Sequence, residues 1–227
     1  MTLPGHVFTA PNGVRGFDAN QPISAATAAA FHSRGYRFCL RYVRRATARP
    51  YDLTAKEATT LLKARLGLMV VQHVALEGWV PTPELGTTYG VVAASEAQRI
   101  GLSSGVTLWC DLEGVAPGTP AQDVVDYCNL WHAEVAGAGY VPGLYVGSGA
   151  GLSPSQLYKS LRFTHYWGAY NLNADEVPLV RGLQMKQSVP KAADRVPGAG
   201  FEFQVDTVKA DALGGRPTLL AMGGWPE

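Results

Sequence analysis

Strand-like and helical segments alternate along this chain of 227 residues, and that alternation constrains its fold more than any other feature. Segments rich in aromatic and β-branched residues, such as 36–43 and 105–114, are typical of buried strands. Helical runs lie between them, with Ser24 and Thr54 as predicted N-caps and Pro120 in a first-turn position. Repeated strand–helix–strand units favour parallel pairing through right-handed crossovers.

The pattern predicts eight strands, at 16–20, 36–43, 68–74, 105–114, 140–149, 163–171, 182–189 and 201–210. About 28 residues per unit is enough for a small closed barrel. Helical patterns between the last three strands are weak or absent. We therefore predict an α/β fold, a single (β/α)8 TIM-like barrel with short or missing helices in its last third. A doubly wound open sheet is the alternative. No compositional shift marks a linker, so residues 1–227 are predicted to form one domain, with 1–13 as an N-terminal extension.

Composition excludes several classes of function. Nineteen basic and eighteen acidic residues give a net charge of +1, whereas nucleic-acid binders are usually far more basic. No apolar run approaches the roughly 18 residues of a transmembrane helix, so we expect no membrane insertion. The three cysteines and five histidines show no metal-ligand spacing, so we predict no metal site and no cofactor.

Two acids on one strand carry the strongest chemical signal. Asp111 and Glu113 are two residues apart, so they share a face of the predicted strand, with Thr107 and Trp109 below them. Carboxylates on the inner face of a barrel strand, at its carboxyl end, are energetically unfavourable unless they take part in function or are paired with another group. Close acids push their pKa values apart, which is what cleavage of a glycosidic bond requires. The alternative is an exposed acidic turn.

Two further acids lie on the first and last predicted strands. Asp18 follows Gly16 and Phe17, where it could equally be a turn former or a helix cap, and Asp206 lies in an apolar stretch. The first and eighth strands are neighbours only in a closed barrel. If the barrel closes, all four acids converge on one mouth.

Aromatic and basic residues near strand ends offer further candidates. Trp109, Tyr42 and Tyr145 could line a glycan groove, because sugar rings stack on aromatic faces, or they could pack in the core. The only basic run begins at Arg41, and it could bind anionic polymers or form a solvated loop. The glycines at 147–151 imitate a dinucleotide-binding loop, which keeps an open-sheet oxidoreductase as an alternative, although a sharp turn at a barrel mouth explains them better.

The order of the segments GFDANQ, CDLEG, GLYVGSG, YWGAYN and a late Gln followed by VD resembles the glycoside hydrolase family 25 lysozymes. It resembles even more closely the related glycoside-hydrolase-like family of unknown function, which occurs in actinobacterial secreted proteins and phages. The similarity runs from about Val14 to Asp211. Its strongest motif is Asp-Leu-Glu at 111–113, which matches the D-x-E of those lysozymes.

The resemblance implies roles for the acids. Glu113 would be the general acid, and Asp111 would position or stabilise the sugar at the reacting centre. Asp18 and Asp206 would be supporting carboxylates at the ends of the first and last strands.

The resemblance also implies that Gln187, Tyr145 and Tyr170 line the pocket, although Trp167, Ala169 and Tyr170 are one residue closer together than in the lysozymes. We expect a monomer that cleaves or recognises peptidoglycan glycan strands, in the manner of a muramidase or endolysin. The alternative is an inactive barrel that binds cell-wall glycans. Residues 1–13 lack the regions of a secretory signal, so action at a cell wall would follow release by lysis or delivery as a phage component.

Overall fold

The computed structural model describes residues 2–173, 176–213 and 215–223. The strands are β1 (His6–Thr9), β2 (Arg15–Ala19), β3 (Phe38–Val43), β4 (Gly67–Gln72), β5 (Thr107–Leu112), β6 (Val141–Val146), β7 (His165–Gly168), β8 (Met185–Ser188), β9 (Gln204–Val208) and β10 (Thr218–Ala221). The helices are α1 (Ala25–Ser33), α2 (Ala55–Lys63), α3 (Pro83–Ile100), α4 (Ala121–Gly137) and α5 (Pro154–Lys159). A short 3-10 helix spans Ala192–Asp194.

Strands β2 to β9 form a closed eight-stranded barrel. From β2 to β8 the neighbouring strands are parallel in chain order, and β9 closes the ring against β2. The predicted TIM-like barrel is confirmed, and the open-sheet alternative is wrong. The helices also thin out as predicted, because no α-helix spans residues 189–203 between β8 and β9, all of which are described.

The direction of β9 differs from the prediction. The repeat predicts parallel pairing throughout, but β9 runs antiparallel to both of its neighbours, β8 and β2. A parallel return needs a crossover, usually a helix, whereas this connection holds only the 3-10 helix. β9 therefore returns beside β8 in the opposite direction.

The segment predicted as an N-terminal extension forms a strand. β1 pairs antiparallel with β10, and β10 pairs with the start of β4 through Leu220 and Leu68. This place beside β4 is free because β5 pairs with β4 only from Val70 onward. No helix in the described part of the chain has the length and apolar character needed to cross a bilayer.

Side-chain hydrogen bonds begin the helices as predicted at two positions. Ser24 accepts the N–H of Thr27, and Thr54 accepts the N–H of Glu57. Thr54 and Glu57 also match the Thr-x-x-Glu pattern that predicts a capping box, but the Glu57 carboxylate accepts from Ile23 N–H instead. The sequence pattern of residues 89–101 predicts a helix, but α3 begins at Pro83 and is therefore longer than that pattern indicates.

Alternation along β5 sends one row of side chains into the barrel. Trp109 is fully buried there, packs edge to face on Trp167 with ring centroids 5.8 Å apart, and covers Gly143 of the next strand. Cys110 faces outward, with its Sγ 3.9 Å from the hydroxyl of Tyr127 on α4. A layer of aromatic rings therefore lies beneath the strand ends that carry the acids.

Candidate active site

The barrel brings Asp18, Asp111 and Glu113 together at the carboxyl ends of its parallel strands. Asp18 and Asp111 are buried, and Glu113 is half-buried directly after β5. The three groups lie within electrostatic reach, because the charges of Glu113 and Asp18 both raise the pKa of Asp111. The sequence prediction that these acids converge depends on barrel closure, which the structure shows.

Asp18 is held by side chains from β3 and β8. Gln187 Nε2 donates a hydrogen bond to Asp18 Oδ2 at 2.8 Å, and the Tyr42 hydroxyl donates to Oδ1 at 3.4 Å. Burial raises the pKa of Asp18 to about 6, although these two donors lower it in part. The Tyr145 hydroxyl donates to Gln187 Oε1 at 3.1 Å and extends the chain of hydrogen bonds to β6.

Asp206 lies deeper than the other acids. Because β9 is antiparallel, Asp206 is opposite Gly16 and Gln187, while Gln204 is opposite Asp18. Asp206 is therefore in the middle of its strand, and the expectation that it lies at a strand end is wrong. Burial, followed by the charge of Asp18, raises its pKa well above the ordinary value. Neither of its oxygens has a hydrogen-bond partner among the residues that the structure describes.

Asp111 and Glu113 form the central pair. Burial is the main reason that the pKa of Asp111 is well above its ordinary value, and the N–H of Val74 and the charge of Arg45 lower it only in part. Burial also raises the pKa of Glu113. Two neighbouring carboxyls of this kind titrate as a pair and keep a proton to higher pH than isolated ones. A carboxyl that keeps its proton in this way can act as a general acid.

The backbone around Glu113 is fixed by groups that the sequence prediction missed. Trp79 Nε1 donates to the Glu113 carbonyl at 2.8 Å, and Gly114 N–H donates to the Ser148 carbonyl at 2.9 Å. A Cβ on Gly147 would overlap the Glu113 carboxylate and lie 2.5 Å from its Cβ. The glycine loop that imitates a dinucleotide site thus packs against Glu113. Its position directly after a predicted strand is the sequence feature that could have indicated this contact.

The predicted aromatic residues lie at three different levels. Tyr42 and Tyr145 join the hydrogen bonds around Asp18, whereas Trp109 lies in the core beneath the acids. Tyr170 is half exposed, and only its backbone N–H reaches Gln187, with 3.4 Å between Tyr170 N and Gln187 Oε1. A small cavity of about 120 Å³ adjoins Asp18 and Tyr42, lined also by Asn20, Glu202 and Gln204.

Arg41 lies outside this group. Its side chain is fully buried on the outer face of β3, where Nε donates to Glu57 Oε1 at 2.7 Å. The remaining guanidinium nitrogens donate to the carbonyl oxygens of Ala19 and Tyr51 and to Glu57 Oε2. The structure therefore gives Arg41 a role in holding α2 against the barrel.

His73, the residue directly after β4, packs against Tyr42. The two rings stack with centroids 4.8 Å apart, and His73 Nε2 lies 3.0 Å from Asp52 Oδ1. Burial, with the charge of Arg49, lowers the pKa of His73 to about 4. The described residues contain no cluster of three or more histidine, cysteine, aspartate or glutamate side chains arranged to hold a metal ion.

Solved structures with the same fold include a Tat-secreted protein, the catalytic domain of a phage endolysin and a family 25 glycosyl hydrolase. The Mycobacterium tuberculosis Tat-secreted protein Rv2525c, solved with L-tartrate, is 13% identical, with a TM-score of 0.63 over 87% of this chain and 96% of that one. The catalytic domain of endolysin ply40, from bacteriophage P40 of Listeria monocytogenes, is 16% identical, with a TM-score of 0.61 over 88% and 95%. A family 25 glycosyl hydrolase from Bacillus anthracis is 13% identical, with a TM-score of 0.59 over 92% and 94%.

Sequence comparison gives the family. No curated protein matches the chain by sequence. The model of the Rv2525c-like, glycoside hydrolase-like domain matches residues 29–191, which is well over half of the chain. This protein therefore belongs to the Rv2525c-like family of glycoside hydrolase-like domains.

Proposed function

We propose that this protein is a single-domain, lysozyme-like glycosidase that cleaves the glycan strands of peptidoglycan. The observation that carries the proposal is the pair formed by Asp111 and Glu113, both with raised pKa values, at the carboxyl end of one barrel strand. The lysozyme-like and endolysin-like structural neighbours support a glycan as the substrate class.

In this proposal Glu113 and Asp111 have different roles. Glu113 is half-buried, so its carboxyl can reach the glycosidic oxygen of a bound glycan and donate a proton to it. Asp111 lies deeper, and when the pair shares a single proton that Glu113 carries, the ionised Asp111 stabilises the positive charge that develops at the anomeric carbon. Asp18, fixed by Gln187 and Tyr42, supports the sugar from the opposite side of the mouth.

A glycan-binding barrel without turnover is the second candidate, and one observation favours it. Burial raises the pKa of Asp18, Asp111, Glu113 and Asp206 alike, instead of separating an acid from an ionised stabiliser. Binding needs the pocket and its aromatic groups but no difference in pKa between two carboxyls.

Release of reducing ends from purified peptidoglycan distinguishes the two candidates. The variants are Glu113→Gln and Asp111→Asn, with Glu134→Gln on α4, outside the barrel, as the control. Loss of a general acid typically lowers the rate about 10²–10⁴-fold, so the proposal predicts release by the wild type and the control but not by Glu113→Gln. Binding of the wild type in a pull-down without release would favour the second candidate. If the wild type neither binds peptidoglycan nor releases reducing ends from it, both candidate functions are contradicted.

A further inference from the structure

Four arginines follow one another along β3 and the loop after it, and the chain neutralises only half of them. Arg41 Nε lies 2.7 Å from Glu57 Oε1, and Arg44 Nε lies 2.8 Å from Glu96 Oε1. Among the described residues, no carboxylate lies within 4.0 Å of the guanidinium of Arg45 or Arg49. The loop therefore presents two cations without an internal counter-ion.

Arg45 is also held in place while part of its guanidinium is shielded from water. Its Nε and Nη1 are buried, and neither has a hydrogen-bond acceptor in the described part of the chain. The guanidinium carbon lies 5.1 Å from the centroid of the Tyr89 ring, a cation–π contact that fixes the side chain. Buried charged donors without acceptors are unfavourable, so this arrangement indicates a partner that the protein itself does not supply.

The two unpaired arginines line the same cavity. It has a volume of about 330 Å³ and is bounded by Arg45, Ala46, Thr47 and Arg49, with no acidic residue among them. Because this loop follows the carboxyl end of β3, it lies at the same end of the barrel as Asp111. The charge of Arg45 reaches Asp111, and that of Arg49 reaches His73 beside Tyr42.

We propose that Arg45, Arg49 and Thr47 form an anion-binding subsite that takes a carboxylate or phosphate group carried by the glycan. The inference rests on the proposed function, since the anionic group would belong to the sugar chain whose bond lies at Asp111 and Glu113. Guanidinium groups suit both anions because their N–H donors match pairs of oxygen atoms. The protein would then prefer anionic wall glycans to neutral polymers of N-acetylglucosamine.

The test compares an anionic with a neutral ligand. Dissociation constants are measured for soluble peptidoglycan fragments and for neutral N-acetylglucosamine oligomers, using Arg45→Gln, Arg49→Gln and the control Arg44→Gln, which removes a neutralised arginine. We expect each of the first two variants to weaken binding of the anionic fragments about tenfold or more, with the neutral oligomers and the control unchanged. An equal loss on both ligands, or no loss, would overturn the subsite.

Further experiments identify which anionic group is bound, and they distinguish a failure of the subsite from a failure of the proposed function. Fragments with amidated carboxyls, and fragments stripped of phosphate-bearing polymers, show which group the arginines bind. If the wild type binds neither glycan, the proposed function fails, and the subsite is tested by titrating inorganic phosphate and acetate against the Arg45 Nε–H resonance. A shift that Arg49→Gln weakens supports the subsite even then, and a resonance that neither anion moves overturns it.

Discussion

The carboxylate of Glu113 lies directly over the Cα of Gly147, so the space that a side chain would fill at position 147 is occupied by the candidate acid. Gly147 follows β6 immediately, and its N–H donates to the Leu112 carbonyl at 3.0 Å, which ties the two strand ends together. The position of the Glu113 carboxylate is thus set by the absence of a side chain at the residue that follows the neighbouring strand.

Gly147→Ala is expected to move the Glu113 carboxylate and to lower reducing-end release at least tenfold, because a displacement of about 1 Å at a reacting group can reduce the rate about a hundredfold. Release from peptidoglycan and circular dichroism check the result. Gly137→Ala is the control, since a Cβ there meets nothing within 4 Å at the end of α4. Full activity of Gly147→Ala would contradict the positioning role.

Asp18→Asn is expected to stabilise the protein at pH 8 but not below pH 4. The pKa of Asp18 is raised from 3.8 to about 6 in the folded state, so the folded state binds the proton more tightly than the unfolded state. Wild-type stability therefore falls as pH rises through this range, by up to about 3 kcal/mol from this group. Urea unfolding at both pH values checks it, with Asp126→Asn on α4 as the control. Equal stability of wild type and Asp18→Asn at pH 8 would contradict the assignment.

Gln187→Leu is expected to raise the pKa of Asp18 further above about 6, because the amide donates a hydrogen bond to the ionised carboxylate. Tyr42→Phe should move the pKa in the same direction but by less, since its oxygen is 3.4 Å from Asp18 Oδ1. Carboxyl carbon chemical shifts followed through a pH titration report the change. An unchanged Asp18 titration in Gln187→Leu would show that the hydrogen bond does not control this group.

Arg41→Met is expected to destabilise the fold by about 3–5 kcal/mol, because it leaves Glu57 buried without its cation. Replacing both residues with methionine should recover much of that loss. Chemical denaturation measures the difference, and Arg34→Ala, which removes an exposed arginine, is the control. A loss for Arg41→Met no larger than for Arg34→Ala would show that the buried ion pair contributes little.

The barrel and the central acid pair could be predicted from the sequence because both depend on local patterns. Alternation along a strand is sufficient to put Asp111 and Glu113 on one face, and hydroxyl N-caps such as Ser24 mark helix starts. The same alternation could have excluded one residue, since Arg41 and Tyr42 are adjacent on β3 and cannot both face the barrel interior.

Other features depend on contacts between distant parts of the chain. The direction of β9, and with it the depth of Asp206, follows from a connection without a crossover helix, which strand composition does not reveal. β1 and β10 are four residues each and form because the start of β4 has a free edge. Which arginines are unpaired also depends on distant contacts, because Glu57 neutralises Arg41 and Glu96 neutralises Arg44.

The junction of β2 with β9 joins the first barrel strand to the last, through pairs such as Arg15 with Thr207. Contacts so far apart in sequence carry the largest loop-closure cost, so their formation is expected to come late in folding. Asp18 and Asp206 lie on the two strands of that junction. A nascent chain can therefore hold Asp111 and Glu113 close together at the end of β5 before β9 is synthesised, and all four acids are brought together only in a polypeptide whose barrel has closed.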